Sequence, residues 1–263
     1  MKRLLLLFLL VASVVIIASS ISFESVHAAK KTYPKVKLAS SKGFGGKLTA
    51  VNFNDSVRAL YQALGLAKYK MKFEVFRYGM MGYHSLLAQE KLSDKRVVSF
   101  IDFTLPSTEK RFYTVNLDTR EVLFHSLVSH GRNTGENMAT SFSNVPHSNQ
   151  SSMGFYLTGE TYIGSKGYSM RLDGMDGRFN NNMRRRAVVM HDAKYVSEEW
   201  ARRYGRIGRS QGCPALPKQL AKKVIDTIKD KTMIFAYFND STYLNSSQHL
   251  KMEALFPNVI AEI

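Results

Sequence analysis

The stretch Val97-Val98-Ser99-Phe100-Ile101-Asp102-Phe103 marks where the chain takes on the texture of strands. It is rich in β-branched and aromatic residues and holds no glycine or proline, the composition of a largely buried strand. Residues 111–117 and 121–128 repeat that texture on either side of Asp118-Thr119-Arg120, which reads as a hairpin turn. Residues 155–162, 168–172, 187–190 and 232–238 continue it. Between them, residues 131–152 form a long polar segment of Asn, Ser and Gly, and a loop of that length is functional or unstructured. A helix is expected over 217–229, with Leu220, Val224, Ile225 and Ile228 on one face. The sum is a mainly β domain with flanking helices, an α+β arrangement over residues 96–240.

Working outward, residues 29–95 read as a lead-in and a helical N-terminal extension. Helices are expected over 55–66, capped by Asn54 or Asp55, and over 71–92, where Gly79 and Gly82 weaken the pattern. Residues 241–263 read as a polar tail. At the front, Lys2 and Arg3 precede an apolar run of about fifteen residues, short for a membrane span of about twenty. Val26-His27-Ala28 then resembles a small-x-small cleavage site, so residues 1–28 are expected to be a signal peptide. No second apolar segment of spanning length follows. Cleavage lowers the formal charge from +16 to +15. A chain this basic favours anionic surfaces, which outside the cytoplasm means wall peptide carboxylates, anionic wall polymers and lipid headgroups rather than nucleic acid.

The chain has one cysteine, Cys213, so no internal disulfide is possible. A lone cysteine in an exported protein is either a reactive thiol or a small buried hydrophobe. Its surroundings favour the first. Gly208-Arg209-Ser210-Gln211-Gly212-Cys213-Pro214 is a turn that packing does not require, whereas inert cysteines sit among apolar neighbours. Upstream, the strand 187–190 is expected to deliver His191 at its end. A nearby helix N-terminus, Arg209 and the cluster Arg202, Arg203 and Arg206 would favour a thiolate. Gly212 permits an unusual backbone and close approach of a carbonyl, and the amides of Gly212 and Cys213 are candidates for an oxyanion hole. His191 would serve as the general base.

The segment from His191 to Pro217 resembles the signature of the L,D-transpeptidase catalytic-domain (YkuD-type) family, a strand-end His followed by [Ser/Thr]-His-Gly-Cys. In this chain 18 residues separate His191 from Ser210. The hairpin and Ser152-Met153-Gly154-Phe155-Tyr156 fit as well, so the likeness covers roughly residues 97–238. The resemblance implies a β-sandwich-like catalytic domain and a Cys/His mechanism without metal or cofactor. It also implies peptidoglycan stem peptides as substrate, cleaved before the fourth-position D-alanine, with the acyl group passed to an amine or to water. Two positions depart from the pattern: Gln211 stands for the second His, and Asp192 for the Gly that follows the first.

Other readings rank below this one. A sortase also orders His before Cys but needs an arginine after the cysteine, and none follows Cys213. Papain-like enzymes order Cys before His, and the only downstream histidine is His249. A wall-peptide hydrolase such as an L,D-carboxypeptidase would share the Cys/His pair, and a catalytically silent basic wall-binding module is the non-enzymatic alternative. Weaker site candidates are His130, at a strand end beside the long loop, and Tyr162 and Tyr168 on neighbouring strands. Asp192 could orient His191, and Arg184-Arg185-Arg186 could hold substrate carboxylates or form a solvated basic turn.

Overall fold

The computed structural model describes residues 50–251; the expected signal peptide, most of the lead-in and the end of the tail lie outside the described residues. The elements run α1 (Ala50–Ala63), a 3₁₀ turn (Leu66–Tyr69), α2 (Phe73–Ala88), β1 (Val97–Asp102), β2 (Phe112–Asn116), β3 (Glu121–Ser126), β4 (Gly154–Gly164), β5 (Gly167–Gly174), α3 (Gly177–Asn180), β6 (Val189–Ala193), α4 (Glu198–Tyr204), β7 (Ala215–Pro217), α5 (Lys218–Ile228), β8 (Met233–Tyr237), α6 (Ser241–Ser246) and a 3₁₀ turn (Gln248–Leu250). The expected strands and helices are present, with ends displaced by a few residues. The short β7 and the short helices α3, α4 and α6 are additions.

The strands pair in the order β3-β2-β1-β8-β4-β5-β6-β7. Most neighbours are antiparallel; β1 with β8 and β6 with β7 are parallel. Alternation decides how the sheet is covered, since successive side chains leave a strand on opposite faces. Val98 and Phe100 of β1 pack with Phe155, Phe235 and the apolar faces of α1 and α2. Val97 and Ile101 pack the other way, with Tyr156, Ile234 and the Val224, Ile225 and Ile228 face of α5. Every residue of β1 is therefore buried, and its polar Ser99 is satisfied by Thr114 on β2, Oγ to Oγ1 2.9 Å.

The two glycines that weaken the helical pattern of 71–92 have a packing reason. A side chain at Gly79 would run into the Phe100 ring, and one at Gly82 into the Phe155 ring. Their absence lets α2 lie directly on the sheet, which outweighs the cost of about 1 kcal/mol each for glycine in a helix. The first part of the expected polar tail is also built in. Tyr243 is fully buried and donates its hydroxyl to Asp176 Oδ2 at 3.0 Å, and Ser247 Oγ donates to Asp176 Oδ1 at 2.5 Å. His249 bridges Ser85 Oγ (2.9 Å) and the Met175 carbonyl (3.0 Å), tying this segment to α2 and to the end of β5.

Candidate active site

The site forms where β6 and β7 run side by side. His191 is in register with Ala215 across the parallel pair and with Ser169 on β5. Tyr162 of β4 is in turn opposite Ser169, so Tyr162, Ser169, His191 and Ala215 form one row across four strands. Extending the β6–β7 register by two residues sets Cys213 beside Val189. The Val189 amide donates to Cys213 Sγ at 3.4 Å, and the thiol points at the Ala187 carbonyl 3.9 Å away. His191 lies at the middle of β6 rather than at a strand end, because pairing with β7 carries the strand past the β5 pairing and on to Ala193. Cys213 and His191 line one cleft of about 600 Å³, together with Tyr162, Lys166, Tyr195 and Gln211.

His191 is 4% exposed, and its Nδ1–H donates to the backbone carbonyl of Asp192 at 2.7 Å. That bond fixes the tautomer and leaves Nε2 as the acceptor. Asp192 thus does orient His191, but through its peptide oxygen rather than its carboxylate. Burial lowers the imidazole's proton affinity, a shift that the Asp192 carbonyl and charge partly oppose. Burial also pushes the Cys213 thiol up, against the pull of the Val189 amide, Arg186 and Lys166. The two directions agree on one resting state: the proton sits on sulfur and the imidazole is neutral.

The expected sources of thiolate stabilisation are rearranged. The helix that should begin just after Cys213 begins only at Lys218, because β7 intervenes. Arg209 lines the cleft, yet its Nη1 donates to Glu136 Oε1 (2.6 Å) and to the carbonyls of Arg132 and Gly135. Arg206 pairs with the same carboxylate at 2.9 Å. Both side chains anchor the start of the long loop. The cations that act on the thiol are instead Arg186 and Lys166.

The turn before Cys213 is held by its own side chains. Ser210 Oγ donates to the Cys213 carbonyl at 2.7 Å and accepts the Gly212 amide at 3.0 Å. That amide is therefore committed to Ser210, which leaves the Cys213 amide of the expected oxyanion pair. Gly212 itself has φ +124°, and its carbonyl accepts from Ser151 Oγ at 3.1 Å. Ser129, which the strand pattern did not single out, accepts the Ala215 amide at 3.1 Å and reaches the Cys213 carbonyl at 3.4 Å.

Two weaker candidates fall elsewhere. His130 does not line the cleft: it is fully buried, accepts from Arg111 Nη2 at Nδ1 (2.7 Å) and donates from Nε2 to the Gly135 and Glu136 carbonyls. Burial and Arg111 bring it down to about 4. Its backbone oxygen accepts the Ser210 amide at 2.9 Å, so it supports the cysteine turn from behind. Tyr168 faces α5, donating to Asp226 Oδ1 at 2.6 Å, because it alternates with Ser169. Of the two expected tyrosines, Tyr162 is the one that meets the cleft. The three arginines of 184–186 part company. Arg184 pairs with Glu160 and Asp173, Arg185 is exposed, and Arg186 turns inward. Tyr195, also missed, lines the cleft with its phenol pushed up to about 12, chiefly by burial.

Solved structures that align with the chain include an L,D-transpeptidase from Mycobacterium smegmatis, at 14% identity and TM-score 0.34 over 54% of this chain and 59% of that one. The helical cell shape determining protein Pgp2 from Campylobacter jejuni aligns at 13% identity and TM-score 0.37, over 61% of this chain and 57% of that one. An L,D-transpeptidase (Yku) from Stackebrandtia nassauensis aligns at 13% identity and TM-score 0.34, over 75% of this chain and 83% of that one. The chain thus spans less than two thirds of the first two. No curated protein sequence matches it. The family model for the L,D-transpeptidase catalytic domain matches residues 67–237, from the first 3₁₀ turn to the end of β8. That is well over half of the chain, and the protein belongs to the L,D-transpeptidase catalytic-domain family.

Proposed function

We propose that the protein is an exported peptidoglycan L,D-transpeptidase in which Cys213 is the nucleophile and His191 the general base. The observation that carries this reading is the shared cleft. A tautomer-fixed imidazole on β6 and a thiol two residues ahead of the parallel β7 line the same cleft. Family membership supports the substrate class, and the basic chain suits an anionic wall.

The resting proton distribution sets the order of events. The thiol gives its proton to His191 Nε2 as sulfur attacks the stem-peptide carbonyl that precedes the fourth-position D-alanine. The tetrahedral oxyanion takes a hydrogen bond from the Cys213 amide. Collapse breaks the C–N bond, the imidazolium returns its proton to the departing amine of D-alanine, and a thioester remains on Cys213. An acceptor amine or water then attacks the thioester, losing a proton to Nε2, and the thiol is regenerated with that proton. Residues 1–28 serve export in this reading.

The test is incubation of the protein lacking residues 1–28 with purified muropeptides, with products identified by mass spectrometry. Transfer yields a species heavier by a linked stem, and hydrolysis yields loss of D-alanine alone. Cys213→Ala is expected to give neither. Products from the Cys213→Ala protein at the wild-type rate would remove the thiol from the chemistry, and sacculus binding without products from either protein would make the chain a wall-binding module.

A further inference from the structure

Arg186 has a setting that its neighbours in the Arg184-Arg185-Arg186 run do not share. Its guanidinium donates to four oxygens of one loop: from Nη1 to the Ser143 carbonyl (2.6 Å) and Ser152 Oγ (2.7 Å), and from Nη2 to Ser148 Oγ (3.1 Å) and the Gln150 carbonyl (2.6 Å). All four acceptors are neutral. Among the described residues Arg186 forms no ion pair, whereas Arg184 is neutralised by Glu160 and Asp173. A half-buried cation whose charge no carboxylate answers is costly to keep unless a negative charge arises nearby.

The same loop is pressed onto the cysteine turn. A side-chain carbon at Gly212 would stand 2.8 Å from the Gln150 carbonyl and 3.5 Å from Arg186 Nη2. Ser151 Oγ donates to the Gly212 carbonyl and accepts the Gly131 amide at 3.0 Å. From the other side, Ala187 takes φ +53°, a left-handed conformation that an alanine adopts only at a cost of about 1–3 kcal/mol. That turn follows Arg186 directly and presents the Ala187 carbonyl to Cys213 Sγ.

We propose that Arg186 is a positioning residue of the reaction: it straps residues 143–152 against the Cys213 turn and holds an unneutralised positive charge on the cleft that contains the sulfur, where the thiolate forms. The inference rests on Cys213 being the nucleophile. The titratable groups that line the cleft with the thiol are Tyr162 on β4, Lys166 at the β4–β5 turn, His191 and Asp192 on β6, and Lys194 and Tyr195 just after it. Arg132 and His147 on the long loop and Arg209 on the cysteine turn complete the cleft. Arg209 is committed to Glu136, so Arg186 and Lys166 supply the cationic pull on sulfur.

The experiment follows the sulfur and the strap separately, and neither readout needs turnover, so its failure leaves the stem-peptide result standing. Alkylation of Cys213 by iodoacetamide is measured against pH, and amide hydrogen exchange is measured over residues 143–152. Arg186→Gln is expected to move the alkylation midpoint up by about one unit, which slows the reaction at pH 7 about tenfold, and to speed exchange in the strap. Arg186→Lys is expected to keep alkylation within about threefold of wild type while the strap still loosens, because charge survives and the fork does not. An unchanged alkylation profile in Arg186→Gln, or unchanged exchange over 143–152, overturns the proposal. Should Arg186→Gln fail to fold, Ser148→Ala removes one acceptor and leaves the charge. Faster strap exchange there with an unmoved alkylation midpoint supports the proposal, and unaltered strap exchange refutes it.

Discussion

Replacing Gly212 by alanine tests whether the cysteine turn is as constrained as its geometry implies. At φ +124° the backbone lies where only glycine rests comfortably, and an alanine there costs about 1–3 kcal/mol. The new methyl carbon would also stand 2.8 Å from the Gln150 carbonyl, a backbone atom already bonded by Arg186 and so unable to yield cheaply. Overpacking of that kind adds about 1–3 kcal/mol. A total of about 3 kcal/mol corresponds to a fall in Tm of about 6–12 °C for a domain of this size. Gly205→Ala is the matched control. Gly205 also has positive φ, at +67°, but nothing lies within 4 Å of the added carbon, so only about 1 kcal/mol is expected. Thermal unfolding of both variants by circular dichroism is the assay. If Gly212→Ala melts within about 2 °C of Gly205→Ala, the turn is not clamped by the 143–152 loop and the reasoning fails.

Other expectations follow from the same geometry. His191→Gln keeps a side chain able to bond the Asp192 carbonyl but removes the proposed base, so muropeptide turnover should drop at least a hundredfold with little change in Tm; retained turnover would point to another base. With the thiol raised and the imidazole lowered, Cys213 alkylation should rise with pH through a midpoint above that of an ordinary thiol, and a plateau already reached at pH 6 would mean a preformed thiolate–imidazolium pair. Acid stability gives an independent check. His130 is neutral in the fold and titrates at about 4, so it binds fewer protons than in the unfolded chain between pH 6.5 and 4. The stability it holds above pH 6.5, about 3 kcal/mol, should be lost as pH falls through that window. Urea midpoints that stay level from pH 7 to 4.5 would contradict this. Phe100→Ala, which empties the seat between α2 and the sheet, should cost about 3–5 kcal/mol, read as a lowered urea midpoint.

Strand identity was largely legible because period and composition are local. The runs from Val97 onward announce β1, β2 and β3, and the Leu220, Val224, Ile225 and Ile228 stripe announces α5. What stayed hidden depends on partners far away in the chain. The three residues of β7 carry no pattern of their own and become a strand only because β6 offers them an edge. Gly79 and Gly82 read as flaws in a helix from pattern alone, and their reason is the Phe100 and Phe155 rings packed against them. The tail looked polar because its serines and His249 are read singly. In place they satisfy Asp176 and Ser85, whose own burial no local window reveals.

At the site, residue identity was legible and the assignment of charge was not. Cys213 and His191 stand out because a glycine-flanked cysteine and an upstream histidine are rare enough to notice. Which cation serves the sulfur is a matter of where counter-charges fall, and proximity in sequence is a poor guide to that. Arg209 is four residues from Cys213 yet spends its charge on Glu136, 73 residues away. Arg186 is distant in sequence, but its four acceptors are all neutral, so its charge stays available to the sulfur. The same logic explains Asp192. Its carboxylate drew attention as a departure from the family pattern, while the group that orients His191 is the Asp192 carbonyl, which any residue at that position would supply. Asp192→Gly should therefore leave the tautomer of His191, and muropeptide turnover at pH 7, within about threefold of wild type. A much larger loss would give the carboxylate a part that the backbone geometry does not require.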